Sequence, residues 1–394
     1  MSKLKKQLLT LLIMFVFVLS LIGCSSNNSV QETVEAKETK TQSHPVSNVI
    51  KANVKVSGTL KIHYIDVGQA DSILIQQDEH NMLIDAGNNG DSDLVVNYLK
   101  KNNVKKLDYV VGTHPHEDHI GSLDTVINNF EIGKVLMPKA TSTTRTFKDV
   151  VTAIKNKNLK ITEPIPGTTY NLGEASWTVL APSKNKDYED ANNYSIVCKL
   201  KYGNTSFIFT GDAEDISEKE ILARGYDLKS DVLKIGHHGS SSSTTDAFLT
   251  AVNPKYAIIS CGKGNDYGHP HKPTMDKLKS KKIPVYRTDE CGTIVCTSDG
   301  TKITFDKKPG DYNYNGTGTS NKSSSSTSTQ SNRQNTNTST NSNKTVYFTP
   351  SGKSYHFDKN CSTLKRSKKI LQGSLQEAIN SGHKDPCNVC AGGN

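Results

Sequence analysis

Tyr109-Val-Val-Gly-Thr-His-Pro-His-Glu-Asp-His-Ile-Gly121 is the stretch on which the reading of this 394-residue chain turns. It opens on residues of strand type, and Gly112 starts a loop. Within six residues that loop carries His114, His116, Asp118 and His119. Such density is too tight for a structural zinc cage, which draws its ligands from separated pairs. A loop leaving a strand can instead aim alternate side chains at two adjacent cations. Paired cations clamp the attacking and leaving oxygens of a displacement and lower the pKa of bound water toward ~7.

Further ligand-type residues lie outward from this loop. Asp212 closes Phe207-Ile-Phe-Thr-Gly-Asp212, where a carboxylate can bridge two cations. His237 and His238 follow the apolar run 232–235. Asp85, in Leu83-Ile-Asp-Ala-Gly87, can hydrogen-bond to the loop ligands from behind. Each is weak alone, but four strand ends offering ligands support one another, because α/β sheets place their sites there. Asp66 and Asp71, in Ile65-Asp-Val-Gly-Gln-Ala-Asp71, read as turn formers rather than ligands.

Strand-type runs at 60–67, 72–75, 81–84, 109–111, 177–180, 196–200, 207–210, 232–235 and 257–260 alternate with helical patterns at 91–101, 123–130, 146–155, 217–225 and 274–280. This predicts an α/β layered domain over 58–308. Within it Cys198 and Cys261 read as buried thiols, and Cys291 and Cys296, if on one extended strand, are too far apart to pair.

The flanks differ. Lys3, Lys5 and Lys6 precede an apolar run at 8–22 that ends Leu21-Ile-Gly-Cys24. The run has signal-peptide length, short of the ~20 residues of a bilayer span. It looks like a bacterial lipobox, with 1–23 a lipoprotein signal peptide, Cys24 the lipidated thiol and 24–57 a polar, disordered tether. The chain is then expected to be exported and lipid-anchored to the outer face of the bacterial cytoplasmic membrane. Residues 309–344, rich in Ser, Thr and Asn, form a linker. In 345–394, His356, Cys361, Cys387 and Cys390 are spaced for a closed Cys3His structural zinc site.

The net charge of +9 suggests a nucleic-acid partner, but its location weakens that argument. Residues 58–308 carry 31 basic and 32 acidic side chains, so the excess lies in the flanks. A domain-wide basic field is excluded, and polyanion capture falls to the tail, where Lys365, Arg366, Lys368 and Lys369 lie beside the zinc ligands. Hydrophobic content of 34% excludes a protein that spans the membrane many times.

Seven stretches resemble metallo-β-lactamase fold hydrolases, and among them the soluble hydrolase domain of ComEC competence (DNA-uptake) proteins. They are Ile65 to Asp71, Leu83 to Gly87, Thr113 to Gly121, Asn192-Asn-Tyr-Ser195, Thr210-Gly-Asp212, Ile235-Gly-His-His-Gly-Ser240 and Asn265-Asp-Tyr-Gly-His-Pro270. The resemblance implies an αββα four-layer sandwich with two divalent ions, Zn or Mn, and no organic cofactor. It puts His114 and His116 on the first metal and Asp118, His119 and His237 on the second, with Asp212 bridging. Many members supply a third histidine to the first metal, yet no histidine lies between Ile120 and Thr210. Asn192, Asn193 or Ser195 would stand in, and such harder donors favour manganese or magnesium.

The implied activity is that of a phosphodiesterase or nuclease acting on extracellular DNA or nucleotides through a two-metal-activated hydroxide. Asp118 and Asp212 would orient it, His238 or His269 would protonate the leaving alkoxide, and Ser240 and Ser241 would contact phosphate oxygens. Hydrolysis of a lactone, lactam or thioester, or a catalytically weak accessory role in DNA uptake, are the alternatives. Expected partners are nucleic acid or nucleotide, the membrane through the lipid on Cys24, and DNA-uptake machinery or a cell-wall polymer. The C-terminal segment resembles the small α+β zinc-binding domain of Ada repair proteins.

Overall fold

The computed structural model describes residues 55–314 and, with short gaps, 345–387. In chain order the large domain contains β1 (Leu60–Tyr64), β2 (Ser72–Gln77), β3 (His80–Ala86), β4 (Lys106–Val111), β5 (Glu131–Leu136), β6 (Ile161–Thr162), β7 (Thr169–Leu172) and β8 (Ala175–Ala181). There follow β9 (Val197–Tyr202), β10 (Thr205–Phe209), β11 (Val232–Lys234), β12 (Tyr256–Ile259), β13 (Val285–Arg287), β14 (Ile294–Ser298) and β15 (Ile303–Phe305). One sheet has the order β15-β14-β1-β2-β3-β4-β5-β6, the other β13-β12-β11-β10-β9-β8-β7.

Strand periodicity of two sends alternate side chains to opposite faces, and here both faces are buried. Leu60, Ile62, Ile73, Ile75, Met82 and Ile84 meet Trp177, Val179, Leu200, Phe207 and Phe209 between the sheets. Their neighbours Leu74, Leu83 and Val110 point the other way, onto the helices Ser92–Lys101, Leu123–Asn129 and Arg145–Asn156. Ile208, Leu233, Ala257 and Ile259 of the second sheet likewise pack on Asp215–Ala223, Asp246–Val252 and Lys272–Ser280. The result is the expected αββα four-layer sandwich, with burial of each large aliphatic side chain contributing roughly 1.5–3 kcal/mol.

The helices end where their chemistry directs. Thr144 accepts a hydrogen bond from Phe147 N at the start of Arg145–Asn156, and Val150, Ala153 and Ile154 recur on its core face. Strands β3 and β4 run parallel, as do β10, β11 and β12. Their carboxyl ends therefore share one edge of the sandwich, and every loop with metal-type ligands leaves from that edge.

Some boundaries differ from expectation. Cys291 ends the short helix Thr288–Cys291, whereas Cys296 lies on β14, so they share no strand, and both are free thiols. Cys198 and Cys261 are buried. Packing also continues beyond residue 308, since Tyr312 Oη donates to the Ile283 carbonyl at 3.1 Å and Arg287 donates to the Asn313 carbonyl.

In the C-terminal region Thr345–Phe348 pairs antiparallel with Leu371–Ser374, and Ser354–Tyr355 pairs parallel with Asp385–Pro386, beside the helix Leu375–Asn380. Cys24, most of the 24–57 tether, linker residues 315–344 and Cys390 lie outside the described residues. Among those described, no helix is long and apolar enough to cross a membrane.

Candidate metal centre

The ligand loop after β4 is held by Asp85 at the end of β3. Thr113 donates its N–H to Asp85 Oδ1 at 2.8 Å and its hydroxyl to Oδ2 at 2.7 Å. Asp85 Oδ2 also lies 2.8 Å from His119 Nδ1, which turns His119 Nε2 forward to 3.2 Å from Asp212 Oδ2. His114 Nε2 lies 2.9 Å from His116 Nδ1, and His114 Nδ1 lies 3.2 Å from Ser195 Oγ. Burial, reinforced by the charge of His119, holds the His114 imidazole well below its ordinary pKa; burial lowers that of His116 as well. Both rings are neutral, with lone pairs available to a cation.

Asp212 follows β10 through Gly211, whose φ is 50°. A Cβ on Gly211 would come within about 3.1 Å of Thr113 and Ser195 side-chain atoms, so the turn needs glycine both for conformation and for room. Asp212 N donates to Ser195 Oγ at 3.0 Å.

His237 and His238 are both left-handed, with φ of 48° and 51°. The turn brings His238 inward, with Nε2 3.3 Å from Asp118 Oδ2 and 3.5 Å from Asp212 Oδ2. His237 diverges. Its Nδ1 lies 3.3 Å from Ser242 Oγ and 3.5 Å from Glu214 Oε1, and its Nε2 is 3.7 Å from Asp212 Oδ2. Donor atoms of Asp118, His119, Asp212 and His238 all fall within 4.8 Å of one another. Both histidines thus approach Asp212, His238 from inside the cluster at 3.5 Å and His237 from its rim at 3.7 Å, because the backbone reverses between the two.

This set fits divalent cations. His119 Nε2 and Asp212 Oδ1 are buried without a hydrogen bond among the described residues. Burial opposes the charge of Asp212, but His119, His238 and His237 outweigh it and hold the carboxyl well below the usual range. Burial also opposes a proton on His119, yet Asp212, Asp85 and Asp118 hold its imidazole well above the usual range. His238, buried but facing Asp212, Asp118 and Asp71, is raised to about 9. Two imidazolium protons thus occupy the electrostatic place of a cation, and metal uptake would release them.

Asp118, His119, Asp212 and His238 would hold one ion, and His114 and His116 the other. Nitrogen and carboxylate donors without thiolate suit Zn or Mn. Of the three stand-ins for a further ligand, Asn193 is engaged with Glu214 and the Ser217 N–H, and Ser195 with Asp212 N and His114. Asn192 alone keeps a buried carbonyl oxygen, Oδ1, without a hydrogen bond. Ser240 is buried against Ser242, and the part-exposed Ser241 contacts His271 through both N and Oγ. His269 is buried within the histidine cluster, its ring 5.4 Å from His237 and its Nδ1 3.2 Å from the Gln69 amide. Asp71 and Glu214 were missed as neighbours of the ligands, although Lys234 inside an apolar strand signals a buried acidic partner.

A two-sheet sandwich with this cluster at one edge defines a class. Residues 65–263 match the Metallo-beta-lactamase superfamily, and the chain belongs to that family. It is 32% identical to ComE operon protein 3 of Bacillus subtilis over 253 residues, covering 59% of this chain and 32% of that protein. It is 29% identical to Competence protein ComA of Neisseria gonorrhoeae over 240 residues, covering 58% of this chain and 31% of that protein. The chain thus spans about a third of the length of these curated relatives. Among solved structures, the metallo-beta-lactamase fold protein YhfI from Bacillus subtilis aligns with a TM-score of 0.41 at 13% identity, covering 61% of this chain and all of that one.

A second cluster lies in the C-terminal region. Donor atoms of His356, Cys361 and Cys387 lie within 4.8 Å of one another. The Cys361 and Cys387 sulfurs are 3.7 Å apart, far beyond the ~2.05 Å of a disulfide and close to the edge of a tetrahedron with Zn–S near 2.3 Å.

Proposed function

We propose that this chain is a metal-dependent phosphodiesterase or nuclease acting on extracellular DNA or nucleotides. What carries the reading is the convergence of Asp118, His119, Asp212 and His238 beside the neutral pair His114 and His116, at the sheet edge where the loops open. The name of one relative, Competence protein ComA, together with the resemblance to ComEC proteins, favours nucleic acid as substrate and DNA uptake as setting. Bound divalent ions supply acidified water and neutralise charge growing on a phosphoryl oxygen.

The chain's own residues do the positioning. Asp212 offers one oxygen to His119 and His238 and leaves the other buried and unbonded, ready for a cation or an incoming water. His238, facing two carboxylates, belongs with the ligands, which leaves His269 as the candidate to serve the leaving oxygen. Burial and the neighbouring His271, His237 and His238 keep His269 neutral. The Gln69 amide donates to its Nδ1, so its proton sits on Nε2 and can hydrogen-bond the leaving oxygen. Export, lipidation of Cys24 and a structural zinc on His356, Cys361, Cys387 and Cys390 complete the proposal, with the ion serving to fold the tail.

The metal-loaded chain should cleave bis-p-nitrophenyl phosphate and plasmid or single-stranded DNA. Cleavage of nitrocefin alone would overturn the nuclease reading in favour of amide hydrolysis. Asn192 in place of a histidine motivates the accessory reading, which predicts fewer than two ions in the sandwich and no turnover of any substrate.

A further inference from the structure

An ammonium inside an apolar strand requires a buried counter-charge. Lys234, the last residue of β11, is fully buried between Leu233 and Ile235. Its Nζ lies 2.9 Å from Asp71 Oδ2 and donates to the Ile235 carbonyl at 3.0 Å. Asp71, 1% exposed, is a junction. Its N–H donates to the Asp118 carbonyl at 3.0 Å, and its own carbonyl accepts from Gly87 N at 2.9 Å. The Gly87 carbonyl accepts in turn from Gly121 N, so the Asp71 backbone ties the Asp118 end of the ligand loop to the turn after Asp85. Its remaining oxygen, Oδ1, lies 3.4 Å from His238 Nδ1, which is also 3.0 Å from the Ser260 carbonyl.

The geometry assigns to Asp71, locked by Lys234, the role of a positioning residue for His238. The Ser260 carbonyl accepts the proton on Nδ1, the Asp71 carboxylate 3.4 Å away favours keeping it there, and Nε2 is left facing Asp118 and Asp212. The left-handed backbone at His237 and His238 is uphill for residues with a Cβ, so the inward ring needs such an anchor. Lys234 is four residues before His238, and the ion pair fixes the root of the same loop whose tip it orients. This role rests on the reading that the cluster holds divalent ions.

The test compares wild type, Asp71→Asn and the double variant Asp71→Asn with Lys234→Met in the full chain. Calorimetric titration uses manganese alone, which the thiolate cluster disfavours. Wild type is expected to take up two ions. Asp71→Asn should weaken one of them about 10–100-fold and leave the other unchanged. The double variant leaves no unpaired buried charge, so it should melt near wild type while the weakened ion stays weak. A double variant that regains wild-type affinity for both ions overturns the assignment, since the pair would then be purely structural. Wild-type affinity in Asp71→Asn overturns it as well. If Asp71→Asn fails to fold, the double variant decides. A wild-type chain that binds no manganese defeats the metal reading instead. The His238 Nδ1–H resonance then tests positioning separately: with only the Ser260 carbonyl left behind the ring, it should exchange faster in the double variant than in wild type, and equal exchange in both overturns it.

Discussion

The cluster in the sandwich and the cluster in the C-terminal region both gather histidine with anionic donors, yet they differ in what surrounds them. The first sits at the edge of a domain with three apolar cores, each assembled without it. The second sits in a core made of little more than Val346, Phe348, Tyr355, Leu364, Ala378 and its own cysteines. A region that small buries too little apolar surface to offset its chain entropy. Its described donors are one imidazole and two cysteine sulfurs, whereas the sandwich offers carboxylates and imidazoles with buried unsatisfied atoms. From this contrast in donor chemistry and surrounding core it is expected that an ion would fold the C-terminal region but equip the sandwich.

The sharpest way to break this contrast is chelation. Removing metal should unfold 345–387, since structural zinc contributes about 10–16 kcal/mol of apparent folding free energy. The sandwich should keep its far-ultraviolet circular dichroism, and hydrogen exchange would localise the loss. Equal unfolding of both regions would erase the distinction.

Asp212→Asn should come next in size. It removes the charge shared by His119 and His238, so affinity for the ion and phosphodiesterase activity should each fall more than the ~10–100-fold of an outer-shell change. Calorimetry and turnover measure the two separately. The C-terminal region should melt as before.

Acid and base should act on the metal-free sandwich in a defined window. His119 and His238 have raised folded pKa values, so their stabilisation is complete below about 6.5 and is lost as pH rises through about 9 for His238. Asp212 has a lowered one, so its stabilisation is present above about 3.8 and is lost as pH falls further. The metal-free Tm should peak between these limits and drop by several degrees at pH 9 to 10. Metal-loaded protein should lack that alkaline loss, because cations replace the two protons.

The smallest effect sharpens the comparison within the sandwich. Asn192→His should tighten zinc on the His114 and His116 side by roughly tenfold, about 1.4 kcal/mol, and shift preference away from manganese. Unchanged zinc affinity would show that Asn192 Oδ1 serves another purpose.

Much of this was legible in the residues. The run from Tyr109 to Gly121 announced a strand followed by a ligand loop, because strand periodicity and donor density are local properties. Alternating apolar runs gave the layered α/β architecture, and Asp85 and Asp212 could be placed at strand ends before their partners were visible. Strands β5 to β7 and β13 to β15 fall outside the expected runs, being short or weakly apolar segments such as Glu131–Leu136 and Val285–Arg287, stabilised by their neighbours in the sheet.

What the sequence determined by itself was the class of fold, the loops that carry ligands and the donor types, since composition and spacing encode these along the chain. Only the tertiary structure decided which of two adjacent histidines turns inward, which of Asn192, Asn193 and Ser195 retains an unengaged oxygen, and that Asp71 meets Lys234 and His238. Backbone handedness at His238 and pairings across more than a hundred residues settle those choices, and both arise from packing that no local pattern records.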